Sequence, residues 1–279
     1  MFNSGVCPIL DYGSEVWGFK KFSQIEAVQN KAIRVFLGVH RFAANSAING
    51  DMGWTSSIVR RKVNILRFWN RLMVMNDSRL PKIVFNWDTN CTGATWSKDV
   101  KAMLNDINET NVFVSRSQVN LNTSWALLHQ IACNQWSIET QKKPKLRTYV
   151  TFKSVYEIEP YVLSFMNRKC RSYLAQFRSG ILPLEIEIGR WQNKKVEDRI
   201  CKLCDDQEVE DECHFIFVCS LFRLERETFM HVVGNNVPNI RDLNKFDQLK
   251  LFMTKDFVCD FGKLIVTMIN IRRDKLYTQ

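Results

Sequence analysis

The segment Cys201-x2-Cys204-x9-His214-x4-Cys219 constrains this chain more than any other feature. A CxxC turn presents two thiolates to one side of a tetrahedral ion, and a His and a Cys five positions apart close the other side. Zinc suits such a set, because its filled d-shell imposes no geometry and it accepts sulfur and nitrogen together. Four protein ligands leave no open coordination position, so the site reads as structural, with one zinc ion as cofactor. Cys213, beside His214, competes for the third position, and an all-thiolate set of Cys201, Cys204, Cys213 and Cys219 stays open. The chain has nine cysteines. Cys7, Cys91, Cys133, Cys170 and Cys259 lie far apart, unlike a secreted disulfide framework. The start of the chain has neither a basic n-region nor a continuous apolar run. The expectation is a reduced, intracellular protein of the nucleus or cytoplasm.

Charge is the second constraint. The 279 residues carry 39 Lys+Arg against 29 Asp+Glu, a net +10. Residues 201–220 oppose that balance with six acids, Asp205, Asp206, Glu208, Glu210, Asp211 and Glu212, against the single base Lys202. A basic chain with one acidic island points to an anionic partner, most often nucleic acid. The acidic island lies in the metal loop and would repel phosphate, so the loop reads as a staple rather than a nucleic-acid grip. The longest stretch without Lys, Arg, Asp or Glu, residues 117–138, carries seven Asn, Gln and His residues, which excludes a membrane span.

Apolar spacing predicts a mainly α fold. Ser23 and Glu26 have the spacing of a capping box, and Ile25, Val28, Ala32, Val35, Phe36 and Val39 follow at helical period. Further helices are expected over 56–75, about 96–107 and 123–136, then 160–179, 221–232 and about 256–275. The helix 160–179 would bury Val162, Phe165, Met166, Tyr173, Leu174 and Phe177. Residues 141–145 read as a linker, and 181–191 as an irregular or extended stretch. Three regions are expected: a helical, thumb-like unit at 1–88, a helical connector at 89–154, and a zinc-stapled helical module at 155–279.

Several segments resemble the C-terminal part of the polyprotein of LINE-type, non-LTR retrotransposons, downstream of the reverse-transcriptase palm. Ile9-Leu10-Asp11-Tyr12-Gly13-Ser14-Glu15-Val16-Trp17-Gly18 resembles the Tyr-Gly-x-Glu-x-Trp end of that polymerase region. The segments 25–34 and Asn45-Ser46-Ala47-Ile48-Asn49-Gly50-Asp51-Met52-Gly53-Trp54 resemble the thumb. Arg178, Gly180, Arg190, Cys201, Cys204, His214 and Cys219 match the reverse-transcriptase zinc-binding segment. The resemblance implies a role in positioning template RNA and target DNA, and a missing palm as a further partner. It implies no catalysis by this chain. Polymerases of that class need an aromatic-x-Asp-Asp motif, and the one Asp-Asp pair, Asp205-Asp206, follows Leu203-Cys204 inside the finger. By resemblance, Met1 falls just after the catalytic core, and the endonuclease lies far upstream.

The residues expected to meet RNA or DNA are basic. Arg60, Arg67 and Arg71 fall in one narrow stripe of the helix 56–75, and guanidinium groups pair well with phosphate. Arg168, Lys169, Arg171 and Arg178 follow on the helix 160–179, with Arg190, Lys194 and Lys195 beyond it. His40 and His129 read as structural, most tryptophans as core, and Tyr12 and Trp17 as packing residues. The expected function is salt-sensitive RNA/DNA binding by a non-catalytic fragment of a retrotransposon reverse transcriptase, organised by zinc. Two alternatives stand beside it. In one, the acidic loop docks a basic protein partner. In the other, the chain is a decayed relic.

Overall fold

A computed structural model describes residues 2–277 and shows a mainly helical chain. Among the described residues the β-structure is a single antiparallel bridge between Ile200 and Val209. The helices of seven residues or more are α1 (Ser23–Leu37), α2 (Asn45–Met52), α3 (Ser57–Met73), α4 (Leu80–Asp88), α5 (Trp96–Asp106), α6 (Leu121–Gln141), α7 (Arg168–Arg178), α8 (Glu185–Trp191), α9 (Arg223–Gly234), α10 (Lys245–Phe252) and α11 (Val258–Tyr277). Two compact units result: Met1–Ala32 with Thr55–Gln135, and Ile33–Trp54 with Trp136–Gln279.

The division does not follow the expected limits at 88 and 154. Residues 89–135 build the core of the first unit through Val100, Met103, Leu104, Ile107, Val119 and Leu128. Residues 33–54 build the core of the second through Ile33, Leu37, Ile48 and Met52. Periodicity tells which face of a helix is apolar but not which partner covers it, so a contiguous partition of the chain was the default expectation.

The first unit is organised by α3. Ser56 caps it, accepting a hydrogen bond from Val59 N at 3.4 Å. Val59, Val63, Leu66, Trp69 and Leu72 recur at helical spacing and are all buried. Trp69 stacks on Phe113 at 5.4 Å and donates Nε1–H to Ser117 O at 2.9 Å. Asn70 holds the chain beside it, accepting from Val119 N at 2.9 Å and donating to Val119 O at 3.0 Å. Glu26 does not close the expected capping box. Its carboxylate accepts a hydrogen bond from Ser57 Oγ instead.

The second unit packs α7 against α11, with Leu174 and Phe177 facing Phe261, Ile265 and Met268. Phe177 and Phe261 meet edge to face at 5.7 Å, and Phe229 of α9 and Phe252 of α10 approach Phe261 at 5.8 and 5.3 Å. The helix expected over 160–179 is broken. Pro160–Leu163 makes one turn, and α7 starts afresh where the Asn167 side chain accepts from Lys169 N at 2.7 Å. Phe165 lies in the gap and is fully exposed rather than buried. The expected linker tightens into a 3-10 turn at Pro144–Leu146 that buries Leu146, and 185–191 is helical rather than extended.

Arg178 is the largest departure from expectation. Its side chain is 1% exposed, so it belongs to the interior and not to a nucleic-acid surface. It makes two hydrogen bonds to Asp51, at 2.8 and 2.7 Å, and reaches Glu159 at 2.9 Å. Tyr149 and Tyr161 donate their hydroxyls to Asp51 at 3.0 and 2.8 Å. The guanidinium also lies over the rings of Phe152, Tyr161 and Tyr149, at 4.7, 5.3 and 5.7 Å. Burial works against its charge, but Asp51 and Glu159 hold its pKa above the ordinary arginine value. The turn beside it has no room for side chains. A Cβ on Gly53 (φ +60°) would lie 2.3 Å from Ile158 N.

Removing one member of a buried ion pair leaves the other charge uncompensated, at a cost of about 3–5 kcal/mol. Asp51→Ala is therefore expected to destabilise the second unit by that amount in urea denaturation. The apolar double variant Asp51→Leu/Arg178→Met should lose less, because the remaining carboxylate, Glu159, keeps Lys153 as its partner.

Candidate metal centre and basic surface

The metal-ligating residues are set on two short turns. Cys201 and Cys204 flank a knuckle whose base is the Ile200/Val209 bridge, with Cys201 N donating to Glu208 O at 2.8 Å and Glu210 N to Arg199 O at 3.0 Å. His214 opens a single wide turn, His214–Val218, that ends at Cys219. Asp211 starts this turn by accepting from His214 N at 2.8 Å, and Cys219 N closes it on His214 O at 2.9 Å. Arg226 of α9 steadies its end, donating to Phe217 O at 2.5 Å and to Cys219 O.

Cys201, Cys204, His214 and Cys219 bring one ligand atom each to within 4.8 Å of one another. Cys213 stands outside this group, so the third position belongs to His214. Cys201 Sγ lies 4.0 Å from Cys219 Sγ, and Cys204 Sγ lies 3.4 Å from His214 Nε2. With metal–sulfur bonds of about 2.3 Å and metal–nitrogen bonds of about 2.0–2.1 Å, a tetrahedral ion needs edges of roughly 3.8 and 3.6 Å. The protein atoms therefore already stand near the required separations, and the group can hold a metal ion. The outer contacts also match. His214 Nδ1 meets Glu208 Oε2 at 3.2 Å, which fixes the ring and leaves Nε2 for the ion.

The electrostatics of the thiols fit a cationic centre. Backbone hydrogen bonds from Leu203, Asp206 and Leu221 favour the thiolates of Cys201, Cys204 and Cys219. Crowding opposes this. The hydrogen bond with Cys219, then burial, pushes Cys201 up to about 12, while the same bond lowers Cys219. Burial raises Cys204 to about 11. The hydrogen bond with Cys201 raises His214 against the effect of burial. Protein groups alone thus favour protons on Cys201 and Cys204, and a bound metal would replace those protons.

The acidic loop turns largely inward. Glu210 is buried and receives two hydrogen bonds from Arg272 of α11, both at 2.7 Å. It also accepts from Glu185 N at 2.8 Å. Glu212 is buried between Arg147, at 2.7 and 2.9 Å, and Thr148 Oγ1 at 2.9 Å. Its carboxyl is raised above the ordinary range by burial, with Arg147 opposing. Asp211 caps the His214 turn and Glu208 holds the imidazole. The expected acidic face therefore shrinks to Asp205, Asp206 and the outer side of Glu208. None of the partners Arg147, Arg226 and Arg272 carries a local sequence signal.

The basic residues divide into two sets. Arg60 is an internal clamp, donating to Asp11 and Gln29 at 2.9 Å and to Thr55 O at 2.8 Å. The expected stripe on α3 thus reduces to Arg67 and Arg71, both exposed, with Arg67 bound to Asn64 at 2.8 Å. In the second unit Arg178 is buried and Arg171 is half-buried, its guanidinium 4.6 Å from the Phe36 ring. Arg168, Lys169, Arg190, Lys194 and Lys195 are exposed. Arg190 pairs with Glu187 at 2.5 Å, and Lys169 donates to Asn270 at 3.3 Å. Of the aromatics, Trp69 and Trp136 are core, whereas Tyr12 and Trp191 are exposed.

Comparison with protein-family models, curated proteins and solved structures finds no match. No helix among the described residues is long and apolar enough to cross a membrane.

The purified chain is expected to carry one metal ion per polypeptide by elemental analysis. Cys204→Ser and His214→Ala should each abolish or sharply reduce it, and Cys213→Ser should retain it. Loss of the ion from Cys213→Ser with retention in His214→Ala would reverse the ligand assignment.

Proposed function

We propose that the chain binds RNA or DNA through basic side chains held in place by a structural zinc centre, as the non-catalytic C-terminal part of a LINE-type reverse transcriptase. The observation that carries this reading is the inward turn of the metal loop. Glu210 and Glu212 are consumed by Arg272 and Arg147, while Arg168, Lys169, Arg190, Lys194 and Lys195 stay at the surface. Zinc is favoured over other ions because three thiolates and one imidazole make a closed, tetrahedral donor set with no position for substrate. The ion would join the Cys201–Cys204 knuckle to the turn that leads into α9, and its role is to organise rather than to react.

Two further features support the reading. Arg168 and Lys169 sit in the first turn of α7, where the helix dipole disfavours cations. Cations kept there despite that penalty suit an anionic partner. The segments that carry the family resemblance also join physically: Asp51, from the stretch 45–54, pairs with Arg178, from the stretch 177–180. The protein-docking alternative loses its main support with Glu210 and Glu212 buried.

The test is binding of an RNA hairpin across a salt series, with and without a zinc chelator. Affinity is expected to fall steeply with salt, with a logarithmic slope of about −0.7 to −0.9 per phosphate neutralised. Lys194→Ala and Lys195→Ala should each flatten that slope by about one. Chelation should weaken binding by releasing the knuckle. A folded, metal-loaded chain that binds no nucleic acid at low salt would overturn the proposal.

A further inference from the structure

The second unit contains a groove of about 440 Å³ lined by His40, Phe42, Ile181, Leu182, Pro183, Glu187, Ile188 and Trp191. Its volume lies in the range of small-ligand sites, ~300–1,000 Å³. Two aromatic side chains at its rim are exposed, Phe42 at 45% and Trp191 at 56%, and their rings meet at 4.6 Å. Exposed aromatic faces over an apolar floor favour a flat, hydrophobic ligand.

The rim is basic. The Arg41 guanidinium lies 4.9 Å from the Phe42 ring centre, and that of Arg190 lies 5.6 Å from Trp191. Lys194 and Lys195 follow the turn that ends α8, where Lys194 N donates to Gly189 O at 2.8 Å. The one acid in the lining, Glu187, is held by Lys145 at 2.7 Å and Arg190 at 2.5 Å. Glu197 and Asp198 lie farther along the chain and only partly offset these charges. Polar groups are few but defined. Phe42 N donates to His40 Nδ1 at 3.2 Å, which assigns the proton of the neutral ring to Nε2. Partial burial, then Lys145 and Arg34, hold His40 below its ordinary pKa, with Glu187 opposing.

We propose that this groove receives one unpaired base of a single-stranded nucleic acid, stacked against Trp191 or Phe42, with the adjoining phosphates on Arg41, Arg190, Lys194 and Lys195. The proposal rests on the nucleic-acid reading above and specifies its chemistry. A base within a duplex keeps both faces stacked and cannot enter such a groove, whereas an unpaired base can. An apolar peptide would satisfy the floor but leave Arg41, Lys194 and Lys195 without an anionic partner from the ligand. The imidazole N–H of His40 supplies a donor to a base edge.

The test uses the full-length, metal-loaded chain and two fluorescein-labelled probes of equal charge, a short uridine oligomer and its abasic ribose-phosphate counterpart. Trp191→Ala should raise Kd for the uridine oligomer roughly 5- to 150-fold, the span of one stacked base, and leave the salt slope unchanged. Wild type should lose the same factor on the abasic probe, and Trp191→Ala should no longer distinguish the two. Trp191→Phe should restore most of the affinity, and Phe42→Leu provides a second, independent lesion. Circular dichroism and metal content confirm that each variant is folded. Equal binding of both probes by wild type overturns the base-binding groove, as does unchanged affinity in folded Trp191→Ala and Phe42→Leu. In those cases a steep wild-type salt slope keeps the broader nucleic-acid reading. Absence of any binding at low salt overturns both.

Discussion

The buried pairing of Asp51 with Arg178 is the contact on which the second unit depends. It joins residues 127 positions apart in the chain and gathers Tyr149, Tyr161 and Glu159 around one guanidinium. Taking two charges out of water costs several kcal/mol per ion, and only full hydrogen bonding offsets it. Here both carboxylate oxygens of Asp51 accept two hydrogen bonds each, one from arginine and one from tyrosine. A network so completed has few alternative packings, because any shift in register leaves a charge without its partners. The chain passes close by on the same side: α2 ends at Gly53 in the left-handed region, where Ile158 N leaves no room for a Cβ, and Glu159 N donates to Asp51 O at 2.9 Å.

The same device recurs around the metal loop. Glu210 is tied to Arg272 and Glu212 to Arg147, so the loop is anchored on α11 and on the segment before α7 by charge-assisted hydrogen bonds. The first pair removes one acid and one base from the surface, and the second buries Glu212 under a half-buried Arg147. A tally of charge along the sequence therefore misjudges where charge is available. The island at 205–212 looks like an exposed acidic face, yet its function in the fold is mostly to position the knuckle and the His214 turn.

Much of the helical layout was legible because amphipathic periodicity is a local property. The expected helices at 56–75, 96–107, 221–232 and 256–275 lie within a few residues of α3, α5, α9 and α11. The grouping of Cys201, Cys204, His214 and Cys219 was legible because coordination demands specific residue types at short spacing. What escaped was non-local. Nothing in the sequence near Arg60 or Arg178 distinguishes a buried guanidinium from a solvated one, since the difference lies in Asp11 and Asp51. Glu26 satisfies the spacing of a capping box but finds Ser57 instead. The break before α7 was hidden because Phe165 and Met166 continue the apolar period through residues that are not helical.

The partition of arginines gives the basic composition its meaning. Arg60, Arg61, Arg178 and Arg272 are interior or nearly so and answer to carboxylates within the fold. Arginine suits this role because its planar fork satisfies a carboxylate bidentately and it cannot shed its charge. Of the basic residues expected at a nucleic-acid surface of the second unit, Arg168, Lys169, Arg190, Lys194 and Lys195 are exposed, and the lysines among them carry strongly hydrated ammonium groups poorly suited to burial. On the proposed reading, exposed ammonium groups, with Arg190 beside Trp191, would make contacts to a phosphate backbone that tolerate many sequences. Selectivity would then come from the groove between Phe42 and Trp191, where shape rather than charge decides what fits.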